Sequence, residues 1–169
     1  CIGCNQACVG HRLNHEKISC IQHPETGRET EYDPLPPAKT PKNIMVVGGG
    51  PGGMKAACVA AQRGHNVTLY EKSDRLGGQV LLAQLLPGRA EFGGIITNLE
   101  REMTLSGVTV KTSAEITIGV VEQTAPDVII LATGAQSYIP AVEGLEDAHV
   151  VDAWDVIRGD ANVGQSVVI

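Results

Sequence analysis

An open, mostly parallel α/β sheet behind an N-terminal cysteine-rich loop is the fold this sequence predicts. Three observations carry that expectation. Residues 43–71 read as strand, glycine turn, helix, strand and acid. A second apolar run, residues 127–134, ends in Ala132-Thr133-Gly134. Between them, short β-branched runs alternate with helical stripes, the pattern of parallel strands joined by crossover helices.

The first strand is Asn43-Ile44-Met45-Val46-Val47. Gly48-Gly49-Gly50-Pro51-Gly52-Gly53 follows, and then a helical run that ends near Gly64. Each glycine of this G-x-G-x-x-G turn has a physical task. Gly48 turns the chain sharply out of the strand, Gly50 leaves room for a pyrophosphate, and Gly53 lets the helix lie close to the strands. Pro51 and Gly52 fall in the first helical turn, whose free amides and dipole face the phosphates. Ala56, Ala57, Ala60 and Ala61 suit close packing of helix on sheet. Residues 66–71 form the second strand, and Glu71 at its end is placed to accept hydrogen bonds from adenosine ribose hydroxyls. Lys72, beside it, is counted with the same site.

This frame is Rossmann-like, of the FAD/NAD(P)-binding type. A triphosphate-binding loop is excluded, because that loop ends in Gly-Lys-Ser/Thr and here Gly53 leads into Met54-Lys55-Ala56. Glu71 also argues against a 2′-phosphate, which would meet a like charge.

At 169 residues the chain can bury one good core. A net charge of −6 and the lack of a basic cluster argue against nucleic acid as a partner. No apolar run has membrane-spanning length and no signal peptide opens the chain, so the expected location is cytoplasmic with no membrane partner. The chain opens on Cys1 without Met, and residues 166–169 read as a strand with nothing after it. It is read as a piece of a longer protein. Oligomeric state is not legible.

Cys1, Cys4, Cys8 and Cys20 give C-x2-C-x3-C-x11-C. Disulfides belong to oxidising compartments. Structural zinc usually shows two paired knuckles, whereas the second half here holds Cys20 alone. Four thiolates, three tightly spaced, suit a cubane iron–sulfur cluster. Zinc stays as the alternative from spacing. His11, His15 and His23 read as surface histidines, and Cys58 as a small buried hydrophobe.

Cys1-Ile2-Gly3-Cys4-Asn5-Gln6-Ala7-Cys8, then Ser19-Cys20 and Pro24, resembles the iron–sulfur segment of the 2,4-dienoyl-CoA reductase and trimethylamine dehydrogenase family, old-yellow-enzyme-like NADH:flavin oxidoreductases. The resemblance covers essentially the whole chain. It implies a [4Fe-4S] cluster on Cys1, Cys4, Cys8 and Cys20, a preceding barrel carrying FMN, and a following NAD(P)H-binding domain. Those two domains would be the chain's partners in the full-length protein. The organisation expected is a cluster segment at 1–24, an extended linker at 25–42, an FAD-binding (or ADP-binding) Rossmann-like domain at 43–165, and the first strand of a truncated NAD(P)H domain at 166–169. The linker holds Pro34, Pro36, Pro37 and Pro41, so neither helix nor central strand is expected there.

Further along, Gly77-Gly78-Gln79 allows another close backbone approach. It resembles the glycine pair that contacts the nucleotide in flavoproteins with two dinucleotide domains, although a plain loop reads equally well from the residues alone. Leu81 to Leu86 is apolar and ends at the Pro87-Gly88 turn, and Arg89 is assigned to solvent. Phe92, Ile95, Ile96, Leu99 and Met103 mark a helical core stripe, closed by Gly107. Val108-Thr109-Val110 is the next strand, and residues 115–118 a short strand candidate, where Ile116 resembles a position beside the adenine in related flavoproteins. The run 127–134 is expected to be a buried central strand. Its end, Ala132-Thr133-Gly134, points at the cofactor crevice by the strand-end rule and resembles the second fingerprint of flavin-binding Rossmann domains. Residues 150–157 are expected as a short strand running into a helix.

The function expected is electron relay between NAD(P)H or FAD and FMN through the cluster, in an enoate or dienoyl-CoA reductase. The amine dehydrogenase or demethylase branch, with ADP in the nucleotide site, is the alternative. A non-catalytic zinc- and nucleotide-binding module is a reading of a different class. No catalytic residue is expected in the chain, since the resemblance assigns the chemistry to the barrel.

Overall fold

The protein is described here by a computed structural model covering residues 1–147 and 149–168. Its centre is a four-stranded parallel sheet of β1 (Asn43–Val47), β2 (Asn66–Tyr70), β3 (Thr109–Lys111) and β4 (Val128–Leu131). The spatial order is β3-β2-β1-β4, so the chain reverses direction across the sheet between β1 and β4. Every strand pair is parallel, with Asn43 opposite Asn66 and Val47 opposite both Tyr70 and Leu131.

Seven α-helices accompany the sheet among the described residues. The helices α1 (His11–Leu13) and α2 (Glu29–Tyr32) are single turns in the N-terminal segment. The long helix α3 (Pro51–Gln62) follows the glycine turn, and α4 (Val80–Ala83) follows Gly77-Gly78-Gln79. A second long helix, α5 (Gly93–Leu105), is entered through one 3₁₀ turn at Ala90–Phe92. The last two are α6 (Ile118–Thr124) and α7 (Ala153–Arg158).

The register decides the core. Ile44, Val46, Val67 and Leu69 share one face of the sheet and are buried. Met54, Ala57, Cys58 and Ala60 of α3 cover that face, and Ile96, Leu99 and Met103 of α5 pack with them. Met54, Ala57 and Cys58 have no exposed surface. The small residues of α3 allow this close approach, as their spacing predicts. At the C-terminus of α3 the amides of Gly64 and His65 donate to Ala61 and Ala60 (2.8 and 3.2 Å), which stops the helix at the expected place. Gly107 and Val108 close α5 in the same way, through Thr104 and Met103.

Several expectations are corrected. The run 127–134 is an edge strand among the described residues, not a buried central one, and its second face is open, with Ile129 and Leu131 exposed. Residues 115–117 pair with no strand, and Ile118 already begins α6, because Thr117 accepts the Val120 and Val121 amides through its carbonyl. Residues 150–152 are not a strand either; Asp152 instead caps α7, accepting the Trp154 amide at 2.7 Å. The linker also holds helix α2, since its prolines begin only at Pro34 and Glu29 accepts the Gly27 amide at 2.9 Å. Ser166 to Val168 joins no strand, and Ile169 lies outside the described residues. No helix among the described residues is long and apolar enough to cross a membrane.

Candidate functional site

The carboxyl ends of β1, β2 and β4 meet at the switch between β1 and β4, which is where open α/β sheets bind ligands. Gly48 leaves β1 at φ +110°, and its amide donates to Tyr70 at the end of β2. A Cβ on Gly48 would collide with the Ala132 carbonyl, and one on Gly53 would collide with the Gly48 carbonyl. The turn is therefore wedged between α3 and the end of β4, which only glycines permit. Gly50 differs: a Cβ there would meet nothing within 4 Å. It caps α3 ahead of Pro51 at N1, and its open side is the cradle that a pyrophosphate at a helix N-terminus requires.

Around this turn the other sequence-predicted residues assemble. The Gly77 amide donates to the Gly49 carbonyl at 2.8 Å, and Gly78 lies so close to Gly50 that an added Cβ would stand 3.1 Å from its Cα. Gln79 Nε2 donates to the Ala135 carbonyl at 3.1 Å, tying this loop to the segment after Thr133 and Gly134. Ala132 extends β4 by donating to Val47 at 2.8 Å. Thr133, Gly134, Lys72, Gly52, Gly78 and Gln79 are exposed at the rim, and Pro51 is half-buried beside them. Ile116 is half-buried on the stretch whose Ser113 and Ala114 amides donate to Ser73 and Glu71 (2.7 and 2.9 Å), which brings that stretch alongside the end of β2.

Glu71 is the buried charge of the site, 8% exposed. Oε2 accepts the Gly49 amide at 2.6 Å and Oε1 the Ser73 amide at 2.8 Å. Burial works to raise its pKa, but the Ser73 and Gly49 amides, the Ser73 hydroxyl and the Lys72 charge outweigh it and hold the carboxyl below 4.5. Glu71 thus stays ionised and locks the glycine turn to the end of β2, while each oxygen keeps a lone pair for a further donor. Sequence reasoning assigned it to ribose alone and missed the clamp. The Ser73 position two residues on, where a backbone amide can reach back to the carboxylate, was the available signal.

At the N-terminus, Cys1, Cys4, Cys8 and Cys20 line one cavity of about 30 Å³ together with Gln22 and the buried Ile2 and Ala7. None is in a disulfide. The loop achieves this through left-handed Asn5 and Gly3 and a π turn at Gln6–Gly10, while the Ser19 amide donates to Ala7 at 3.0 Å and brings Cys20 back. The Gly3 amide points at Cys1 Sγ at 3.4 Å. Among the described residues, no three Cys, His, Asp or Glu side chains converge closely enough to chelate one ion. His11, His15 and His23 do not line the cavity. Cys58 is apart in the core, its thiol pushed up to about 11 mainly by burial.

One connection was not foreseen. Lys55 of α3 lies 3.6 Å from Glu25, just after the cysteine loop, and 3.1 Å from Glu102 of α5. All three are mostly buried, and Lys55 thus pins the chain just after the cysteine loop to the nucleotide-type domain. Arg89 is exposed over the Phe92 ring, as solvent assignment requires. A larger open groove of about 620 Å³ is lined by residues between Ile139 and Glu146 and by Val150, but its lining is chiefly apolar and shares no residue with either site.

A family profile described as pyridine nucleotide-disulphide oxidoreductase matches residues 42–168. The chain belongs to that family. Relatives of this oxidoreductase chain include an NADH oxidase of Thermoanaerobacter brockii, 40% identical over 94% of this chain and 25% of the relative. An N,N-dimethylglycine/sarcosine dehydrogenase of Chromohalobacter salexigens is 37% identical over 100% of this chain and 26% of the relative. Among solved structures, a 2-naphthoyl-CoA reductase superposes with a TM-score of 0.89 at 33% identity, covering 97% of this chain and 25% of that one. The oxidoreductase chain thus spans about a quarter of the length of the relatives it matches, and its resemblance to the 2,4-dienoyl-CoA reductase and trimethylamine dehydrogenase family holds over that span.

Proposed function

We propose that this chain is the electron-relay portion of an iron–sulfur flavoprotein oxidoreductase, with FAD at the switch-point crevice and a [4Fe-4S] cluster on Cys1, Cys4, Cys8 and Cys20. The observation that carries the reading is the gathering of all four thiols around one cavity, on a segment that Lys55 ties to the nucleotide-type domain. The residue set favours a cluster over zinc, since four cysteines are present without the second paired knuckle usual for structural zinc. A tetrahedral zinc with Zn–S bonds of about 2.3 Å draws its sulfurs to within about 3.8 Å of one another. A cubane takes one thiolate on each of four separate irons, so its ligands stand farther apart around a shared space. Four free thiols around one cavity suit that arrangement.

At the crevice, Gly50 and the first turn of α3 would receive the pyrophosphate, and Glu71 would accept from the ribose while holding the turn in shape. Gly77, Gly78, Gln79, Thr133 and Gly134 would line the flavin side, with Ile116 and Lys72 toward the adenosine. When bound, the flavin and cluster exchange electron pairs for single electrons, chemistry the protein only positions and tunes. The reacting acid or base for an organic substrate lies, on this reading, in the FMN barrel of the full-length protein, and NAD(P)H binds in a further domain. The 2-naphthoyl-CoA reductase relative supports the reductase branch, for which an enoate or dienoyl-CoA type of substrate is proposed. The dehydrogenase relative supports the second branch, in which a methylated amine is oxidised and ADP fills the crevice.

The test is compositional. Anaerobically purified protein is expected to carry iron and acid-labile sulfide in equal amounts, about four of each per cluster, with FAD released on denaturation. Released ADP would select the amine branch. Stoichiometric zinc without sulfide would leave a non-catalytic zinc- and nucleotide-binding module and overturn the relay.

A further inference from the structure

Gln22 stands in the wall of the cysteine cavity, two residues beyond Cys20. Its Oε1 position is buried and has no hydrogen-bond partner. A buried carboxamide oxygen left unpaired loses its hydration without compensation. The side chain offers a way out. The oxygen and nitrogen of a glutamine amide exchange places by a half-turn of the last torsion, and the surroundings decide which faces inward. The cavity that Gln22 helps to line is shared with four cysteine sulfurs, which as metal-ligating thiolates only accept. The NH2 is the end that suits them. A donor of the same kind is already in place, since the Gly3 amide points at Cys1 Sγ at 3.4 Å.

We infer that Gln22 is a tuning residue of the cysteine site, donating its amide N–H to a sulfur of the bound iron–sulfur cluster and so raising the cluster's reduction potential. The inference rests on the cluster reading of the four cysteines. Its physical basis is charge. Reduction adds one negative charge to the cluster, and an N–H aimed at sulfur stabilises that charge more than it stabilises the oxidised form. Hydrogen bonds to the sulfurs are among the factors that set such potentials.

The experiment is a redox titration of the cluster-loaded full-length protein, followed by the paramagnetic signal of the reduced cluster, on wild type and Gln22→Leu. Loss of the donor is expected to shift the one-electron equilibrium about tenfold against reduction, a fall of about 59 mV. Iron and sulfide content are measured on the same samples, so absence of a cluster from wild type marks failure of the underlying reading, whereas an intact cluster with an unmoved potential overturns Gln22 alone. Should Gln22→Leu assemble no cluster, the near-isosteric Gln22→Met decides the question by the same titration. If neither variant takes up iron although both fold as wild type by circular dichroism, the proposal is also overturned, because a residue that only tunes is not needed for assembly.

Discussion

Glu71 carries two tasks, and they separate experimentally. Its oxygens hold the Gly49 and Ser73 amides before any ligand is considered. Glu71→Ala leaves the buried Gly49 amide unpaired, and an expected loss of about 1–3 kcal/mol follows, read by denaturant unfolding of the nucleotide-free protein. The same clamp predicts a pH dependence. The folded-state pKa is depressed below the ordinary 4.5, so the carboxylate's stabilisation is complete above about 4.5 and fades as pH falls through the lower folded-state value. Glu71→Gln is expected to lack that acid-side slope, because nothing titrates at this position. An identical acid profile in both proteins would show that the charge does not hold the turn. Cys58 makes the contrasting case at this scale: a thiol pushed up to about 11 inside the core packs rather than reacts.

Within the strand–turn–helix element, two glycines with the same motif status have opposite surroundings. A Cβ at Gly53 runs into the Gly48 carbonyl, while one at Gly50 meets open space at a backbone φ of −73° that alanine adopts freely. Gly50→Ala is therefore expected to keep the stability of the parent and lose adenine-nucleotide affinity, since the methyl group takes the space of a pyrophosphate oxygen. Gly53→Ala is expected to lose stability itself, by about 1–3 kcal/mol as an overpacked contact. Calorimetry for nucleotide affinity and chemical denaturation, run on both variants, check the pair; equal effects on both quantities would remove the distinction. This element was legible in the sequence because its glycines, small residues and acid sit at spacings that only one geometry satisfies. The run at 128–131 was misread because it is apolar on both faces, which suggests burial on both, yet Ile129 and Leu131 are covered by nothing among the described residues. The stretch 115–117 and residues 150–152 carry β-branched residues, but the Thr117 carbonyl and the Asp152 carboxylate open helices instead. Helix capping of this kind overrides the intrinsic preference of so short a run.

On the scale of the whole molecule, the linker behind the cysteine segment is fastened to the α/β domain along its length. Lys55 meets Glu25, Arg63 donates from Nε to the Pro36 carbonyl at 3.1 Å, and the Lys42 amide donates to His65 at 3.2 Å. All three partners on the domain side lie on α3 or just beyond its end, the helix whose N-terminus forms the glycine turn. Helix α3 thus runs from the candidate nucleotide crevice at its N-terminus to the linker contacts behind the four cysteines. None of these anchors was legible beforehand, since long-range pairs such as Lys55 with Glu25 leave no periodic trace. The central claim, that both a flavin and a cluster work in the protein to which this chain belongs, is tested most directly by counting electrons. An anaerobic reductive titration of the full-length protein is expected to take up about five electrons per chain, two for each flavin and one for the cluster. The amine branch, with ADP in place of FAD, lowers the count to about three. Either result is odd, as a one-electron cluster demands, and an even count with no paramagnetic signal on full reduction would contradict the account.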